Sequence, residues 1–141
     1  MSAPALGITF RFGLTGRRWG DWGPIVLLLH GRDDEPASFG ALVAPLLAAG
    51  RQVIVLDDPS QEPFDETSRV SEFAAAIGEA AVEIRELESV VGHGRGAAAA
   101  AQALDQGLDA QRAVLIGSTD AVGAEEILDS LLERAPLRRA A

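Results

Sequence analysis

The sequence lacks cysteine, lysine and tyrosine, and each absence excludes a class of chemistry. Without cysteine the chain has no disulfide, no thiolate nucleophile and no thiolate metal site, so a reducing cytoplasm is the expected compartment. Every basic residue is an arginine, which excludes a lysine Schiff base and a lysine phosphate ligand. The two histidines, His30 and His93, have no patterned carboxylate partner, so we expect neither a transition-metal site nor a cofactor.

The charge and the hydropathy limit the partners of the chain. A net charge of −9 and a pI near 4.6 argue against nucleic acid and anionic membrane surfaces as partners. The hydrophobic content of 48% and the mean hydropathy of +0.14 indicate a packed globule, and residues 1–141 are expected to form one domain. No apolar run approaches the length of a membrane span, and no early segment is typical of a signal peptide.

The hydrophobic pattern alternates between strands and helices. Continuous apolar runs predict buried strands at residues 25–29, 53–56, 87–91 and 113–116. An alternating strand over residues 8–12 and a short strand over residues 17–19 precede them. Helices are expected from a Ser38 cap to Gly50, and over residues 70–86, 97–103 and 124–135. Buried strands that alternate with helices predict an α/β fold with a mostly parallel sheet.

The stretch Gly92-His93-Gly94-Arg95-Gly96 lies between a predicted strand and an alanine-rich helix. It resembles the nucleophile elbow of serine hydrolases, G-x-S-x-G, in which a turn too sharp for side chains at its flanks exposes the central serine. Both flanking glycines are present, but Gly94 occupies the serine position. Glycine has no side chain that can attack a substrate.

Further motifs extend this resemblance to the N-terminal half of the α/β-hydrolase superfamily, over residues 8–120. Leu28-Leu29-His30-Gly31 resembles the HG motif that closes the third strand of that fold, and Trp19-Gly20-Asp21 before Pro24 resembles its lead-in. The resemblance implies a three-layer fold with a C-terminally shortened sheet. The strand at residues 113–116 would then be an open edge, which predicts a homodimer through this edge or a second chain that supplies the missing strands.

The resemblance also implies roles for individual residues. The backbone N–H groups of Arg32 and Arg95 would form the oxyanion hole. The catalytic base of the family is a histidine after the last strand, and this sequence has no histidine after His93. In some members the catalytic acid follows the earlier strand, where Asp120 lies; the alternative role of Asp120 is a helix N-cap.

Each remaining candidate also has a structural alternative. Ser118 ends the strand beside the elbow, and a Ser118–His93 dyad is one catalytic hypothesis. Against it, His30 and His93 flank glycine turns, where histidines are mostly structural hydrogen-bonding residues.

Gly92-x-Gly94-x-x-Ala97 also matches the G-x-G-x-x-G/A fingerprint for dinucleotides, with Arg95 as an added positive charge. Three functions therefore follow from the sequence. The favoured one is an inactive hydrolase-fold protein that binds a small molecule or a partner at the vestigial site. The alternatives are an atypical ester or amide hydrolase that uses the oxyanion hole, and a phosphate or nucleotide binder.

Overall fold

A computed structural model describes residues 5–31, 37–60, 65–117 and 122–132. These residues form a six-stranded sheet and four α-helices. In chain order the elements are β1 (Leu6–Thr9), β2 (Thr15–Trp19), β3 (Ile25–His30), α1 (Ala37–Ala48), β4 (Gln52–Leu56), α2 (Glu66–Glu83), β5 (Leu87–His93), α3 (Arg95–Asp105), β6 (Arg112–Ile116) and α4 (Ala124–Leu132).

The sheet has the order β1-β2-β4-β3-β5-β6. Strands β4, β3, β5 and β6 are parallel, and β1 and β2 extend the β4 edge in antiparallel orientation. This arrangement confirms the mostly parallel sheet that the apolar runs predict. The carboxyl ends of β3 and β5, which carry the HG motif and the elbow, are neighbours at the centre of the sheet.

Two apolar clusters cover the two faces of the sheet and make the fold three-layered. Helices α2 and α3 pack against each other and against one face, where Leu27, Leu29 and Val90 meet Phe73 and Ile77. On the other face α1 and α4 pack together over a second cluster, whose members include Val26, Leu28, Val91, Phe39, Leu42 and Ile127. Because β3 is covered on both sides, all six of its residues are buried.

Three element predictions are wrong at their ends. The strand expected over residues 8–12 stops at Thr9, because the Phe10 amide donates to the Leu14 carbonyl at 2.6 Å and the chain forms a 3₁₀ turn at Arg11–Gly13. Ser38 lies within the first turn of α1 rather than before it. Helix α2 begins at Glu66 because the Asp65 carboxylate accepts a hydrogen bond from the Ser68 amide at 2.8 Å, which caps the helix earlier than its apolar face suggests.

Strand β6 is the last strand of the sheet in the described part of the chain. It pairs with β5 on one side, and its residues Val114 and Ile116 pack in the cluster beneath α1 and α4. On its other face Leu115 leaves 44% of its surface exposed. The expectation of partner pairing at this edge stays a prediction.

Candidate functional site

The turn between β5 and α3 has the backbone conformation of an elbow. Gly94 adopts φ 60° and ψ −123°, a combination that is strained for any residue with a side chain. Its amide donates to the Ile116 carbonyl of β6 at 3.0 Å, and its own carbonyl accepts from the Ala97 and Ala98 amides at 3.0 and 3.2 Å. The turn is therefore fixed by the neighbouring strand on one side and by the first turn of α3 on the other.

The two flanking glycines are required by close backbone approach. A Cβ atom on Gly92 would lie 2.7 Å from the Cα of Ala97, and a Cβ on Gly96 would collide with the Leu29 carbonyl group of β3. Because these neighbours are backbone atoms, they cannot rotate away. The helix thus starts directly against the central strands, and this contact places the amide of Arg95 at the carboxyl edge of the sheet.

Arg95 is the one predicted oxyanion residue that lies within the described part of the chain. As the first residue of α3, Arg95 has an amide without an intrahelical acceptor, which is what the predicted oxyanion role needs. The other predicted oxyanion residue, Arg32, lies outside the described residues, and so do the candidates Ser118 and Asp120.

The structure brings the two histidines together. His30 and His93 are register partners on β3 and β5, so their side chains lie on the same face of the sheet, and each is 8% exposed. The His30 ring packs edge-on against Phe39 of α1, with ring centroids 6.2 Å apart. Its Nδ1 atom lies 2.6 Å from the Gly31 carbonyl oxygen and donates to it in the tautomer that carries a proton there.

The other nitrogen of His30 is a polar atom in the buried part of the site. Its Nε2 atom is buried, and no hydrogen-bond partner for it exists among the residues that the structure describes. With the proton on Nδ1, Nε2 is a hydrogen-bond acceptor, so a bound molecule with a donor group would satisfy it.

The side chain of Arg95 forms an ion-pair network that the sequence did not predict. Its Nη1 donates to the Asp58 carboxylate at 2.9 Å, and its Nε and Nη2 donate to Glu66 at 2.9 and 3.0 Å. The Asp58 side chain is fully buried and also accepts from the Ser60 amide at 2.9 Å. The Arg95 side chain passes close to Gly31, where a Cβ atom would lie 3.3 Å from the Cβ of Arg95.

The network shifts the pKa values of its members. Hydrogen bonds from Arg95 lower the pKa of Glu66, and the hydrogen bonds to Glu66, together with those to Asp58, raise the pKa of Arg95. Burial alone would raise the pKa of Asp58, but hydrogen bonds from Ser60 and Arg95 outweigh it and lower the pKa below its ordinary value. All three groups are charged near neutral pH, and Arg95 has two counterions. In the sequence the signal for this network is Asp57-Asp58-Pro59 at the end of β4, a pattern that by itself indicates a strand-ending turn.

Two further classes of site receive no support. In the described segments no group of three or more His, Cys, Asp or Glu residues is placed to hold a metal ion. None of the described helices combines the length and the apolar character that a membrane crossing requires.

Comparison with known proteins agrees with this geometry. The sequence model of the alpha/beta hydrolase family matches residues 26–141. No curated protein sequence matches the chain.

Solved structures share the fold at low sequence identity. A thioesterase domain from the curacin biosynthetic pathway is 22% identical with a TM-score of 0.63, and the match covers 94% of this chain and 52% of that domain. A 2-hydroxy-6-oxo-6-phenylhexa-2,4-dienoate hydrolase from a Rhodococcus species is also 22% identical, with a TM-score of 0.58 and coverage of 79% and 46%. An epoxide hydrolase from an endophytic Streptomyces is 26% identical, with a TM-score of 0.54 and coverage of 72% and 33%.

The chain thus spans about half the length of the thioesterase domain and of the Rhodococcus hydrolase, and about a third of the Streptomyces enzyme. The match to the family sequence model covers most of the chain, and the order of its strands and the backbone of its elbow agree with that match. This chain belongs to the alpha/beta hydrolase family.

Proposed function

We propose that this chain is a non-catalytic member of the alpha/beta hydrolase family that binds a small molecule at the carboxyl ends of β3 and β5. The observation that carries the proposal is Gly94, which has the φ and ψ of a nucleophile elbow and no side chain to act as the nucleophile. An elbow stores backbone strain in order to expose a reactive hydroxyl. With glycine at this position the strain disappears together with the reactive group, while the shape of the turn is retained.

Two polar groups support a binding role at this edge. The Arg95 amide starts α3 without an intrahelical acceptor and suits a carbonyl or carboxylate oxygen. The buried Nε2 atom of His30 has no partner in the described part of the chain and suits a ligand hydroxyl or N–H group. A small molecule with an oxygen acceptor and a donor would use both groups.

An atypical ester or amide hydrolase is the main alternative. Oxyanion stabilisation and substrate binding leave some catalysis over water when a nucleophile is lost. A water molecule would then attack the carbonyl, with His93 as the candidate base. The family-typical route, attack by an elbow serine, is not open to a glycine.

The phosphate or nucleotide alternative has less support. At a phosphate-binding turn, Arg95 would have to offer its positive charge to the ligand. Its guanidinium instead contacts both Asp58 and Glu66. These two carboxylates neutralise the arginine and repel an approaching phosphate.

Ester turnover and ligand binding, measured on the same preparations, test the proposal. We expect the wild-type chain and the Gly94→Ser variant to hydrolyse p-nitrophenyl acetate no faster than buffer, because the sequence has no histidine after His93 to serve as the base that the family uses. Turnover by the wild-type chain that disappears in His93→Ala would overturn the proposal in favour of the atypical hydrolase.

Binding is measured by ligand-observed NMR with phenylacetate, phenylacetamide and methyl phenylacetate as probes. We expect at least one probe to bind the wild-type chain. This probe should lose binding in Gly94→Val, which places a branched side chain at the turn. A Gly78→Ala variant, in the exposed middle of α2 with no atom near the added methyl group, is the matched control. Absence of binding by all three probes, or binding that Gly94→Val leaves unchanged, would contradict the binding role.

A further inference from the structure

A cavity lies at the amino ends of the parallel strands, at the end of the sheet opposite the Gly94 turn. Its volume is about 520 Å³, within the range of small-molecule sites. It is enclosed by β1, β2, the turn before β3 and the end of α2. Its lining includes the apolar side chains of Ile8, Phe10, Ile25, Ile54 and Ile84.

Arg18 lies in the wall of this cavity, and one N–H group of its guanidinium has no acceptor among the described residues. On β2 it lies in register between Leu6 of β1 and Ile54 of β4, so its side chain leaves the sheet on the apolar face beneath α2. The Nε atom is buried, and the described residues provide no hydrogen-bond acceptor for it. Arg18 as a whole is only partly buried, and a ligand carboxylate would match the fork of N–H groups on its guanidinium.

Trp22 supplies a large apolar surface at the rim. Its side chain is 72% exposed, although tryptophan is among the side chains that gain most from contact with an apolar partner. Gly20 at φ 87° and Gly23 at φ 97° bracket it, and these left-handed conformations set the turn that presents the indole beside the cavity.

The charges around the rim disfavour a ligand with more than one negative charge. Asp21, Glu83, Arg85 and Glu86 also line the cavity, and with Arg18 they amount to three acids against two arginines. The Glu83 carboxylate already accepts a hydrogen bond from the Arg11 amide at 2.8 Å. An anion with two charges, such as a phosphate monoester, would meet net repulsion, whereas one carboxylate can pair with Arg18 while its tail avoids the acids.

We propose that this cavity binds a small monocarboxylate with an apolar tail. The carboxylate pairs with the guanidinium of Arg18, and the tail lies over Ile8, the partly exposed isoleucine of the lining, and against the Trp22 indole. The inference goes beyond the function proposed above, because the cavity lies at the other end of the strands from the Gly94 turn and shares no residue with it.

The test uses three probes with the same eight-carbon tail: octanoate, octyl phosphate and 1-octanol. Isothermal titration calorimetry of the 141-residue chain should show saturable binding of octanoate. Octyl phosphate, which carries more negative charge, and 1-octanol, which carries none, should each bind at least about tenfold more weakly. Arg18→Gln should weaken octanoate about tenfold or more, and Trp22→Ala should weaken it severalfold.

Arg17→Gln is the matched control, because Arg17 is the adjacent residue of the same strand and lies over Trp19, 5.6 Å from the ring centroid, outside the cavity. Neither this variant nor Gly94→Ser should change octanoate binding. The Nε atom of Arg18 makes no hydrogen bond in the described chain, so Arg18→Gln should keep the thermal unfolding midpoint of the wild type, which confirms that the variant is folded.

Equal affinity for octanoate and 1-octanol would reduce the site to an apolar patch and overturn the proposal. Tighter binding of octyl phosphate, no saturable binding of octanoate, or octanoate binding that Arg18→Gln leaves unchanged would also overturn it.

Discussion

The two ends of the parallel strands differ in how closely their backbones pack and in how their arginine side chains are paired. At the carboxyl end, backbones approach so closely that Gly92 and Gly96 cannot carry a Cβ, and Arg95 is paired with two carboxylates. At the amino end, a cavity of about 520 Å³ stays open, the Nε atom of Arg18 has no acceptor among the described residues, and Trp22 is 72% exposed. The turn that carries the elbow motif is thus closely packed and its arginine is paired with carboxylates, whereas the other end has a partly exposed arginine and an exposed indole beside an open cavity.

This contrast shows that a binding site can also lie where the sequence carries no nucleophile-elbow or HG motif. The elbow motif is recognisable because steric constraints require its flanking glycines. Those constraints also hold in this chain, in which Gly94 occupies the serine position. The amino end carries only the Trp19-Gly20-Asp21 lead-in, and its cavity is completed by residues far apart in the sequence, such as Ile8, Ile54 and Ile84.

The largest expected effect tests the close packing at the carboxyl end. Gly96→Ala should lower the free energy of unfolding by at least ~3 kcal/mol, because its methyl group meets the Leu29 backbone, which cannot move aside. Gly78→Ala in α2 has no atom near the added methyl group and should raise stability by about 0.5–1 kcal/mol. Urea denaturation of both variants measures the difference, and equal stabilities would show that the elbow is not closely packed against β3.

A smaller effect tests the neutralised charge at the same end. Asp58→Ala should cost about 2–3 kcal/mol, because Asp58 is buried and its loss leaves Arg95 with one exposed counterion. Glu66→Ala is the control: its side chain is 62% exposed, so its loss should cost about 1 kcal/mol or less. If urea denaturation gave equal losses for the two variants, Asp58 would not be the dominant partner of Arg95.

The pH dependence follows from the direction of the Asp58 shift. The folded protein holds the pKa of Asp58 below its ordinary value of 3.8, so the carboxylate contributes stability above that pH. This contribution is lost as the pH falls through the lower, folded-state pKa. We expect the free energy of unfolding of Asp58→Asn to fall less steeply than that of the wild type below about pH 4. Parallel curves for the two proteins would refute a lowered pKa.

The smallest expected effects compare two turns with the same backbone angle. Gly94 and Glu86 both have φ 60°, at opposite ends of β5, but only Gly94 is a glycine. Gly94→Ala should lower stability by about 1–2 kcal/mol, and Glu86→Gly should raise it by about 0.5–1 kcal/mol. Thermal unfolding of the pair measures both changes, and a destabilised Glu86→Gly would mean that the Glu86 side chain contributes more than its strained backbone costs.

Much of the fold could be predicted because its signals are local. The apolar runs predicted the positions of β3, β4, β5 and β6, and the spacing of Gly92, Gly94 and Gly96 predicted the elbow. The errors lie at element ends. The strand at residues 8–12 ends early at a turn, and the Asp65 cap starts α2 four residues before the apolar pattern suggests.

The candidate site was predicted only in part. Gly94, His30 and His93 were identified as site residues, but the pairing of Arg95 with Asp58 was not. Asp58 follows a strand, and nothing in its local pattern distinguishes a partnered carboxylate from a strand-ending turn.

The sequence by itself determined the alternation of strands and helices, the glycine turn and the missing nucleophile. Hydrophobic periodicity and backbone sterics act over a few residues, so they can be inferred from adjacent positions. The tertiary structure alone decided that Arg95 meets Asp58, 37 residues away, and that His30 lies beside His93. It also decided that the Nε atom of Arg18 is buried with no acceptor in the described part of the chain. These contacts depend on strand register and on helix packing across the sheet, which bring distant segments together and have no counterpart in the local pattern of the chain.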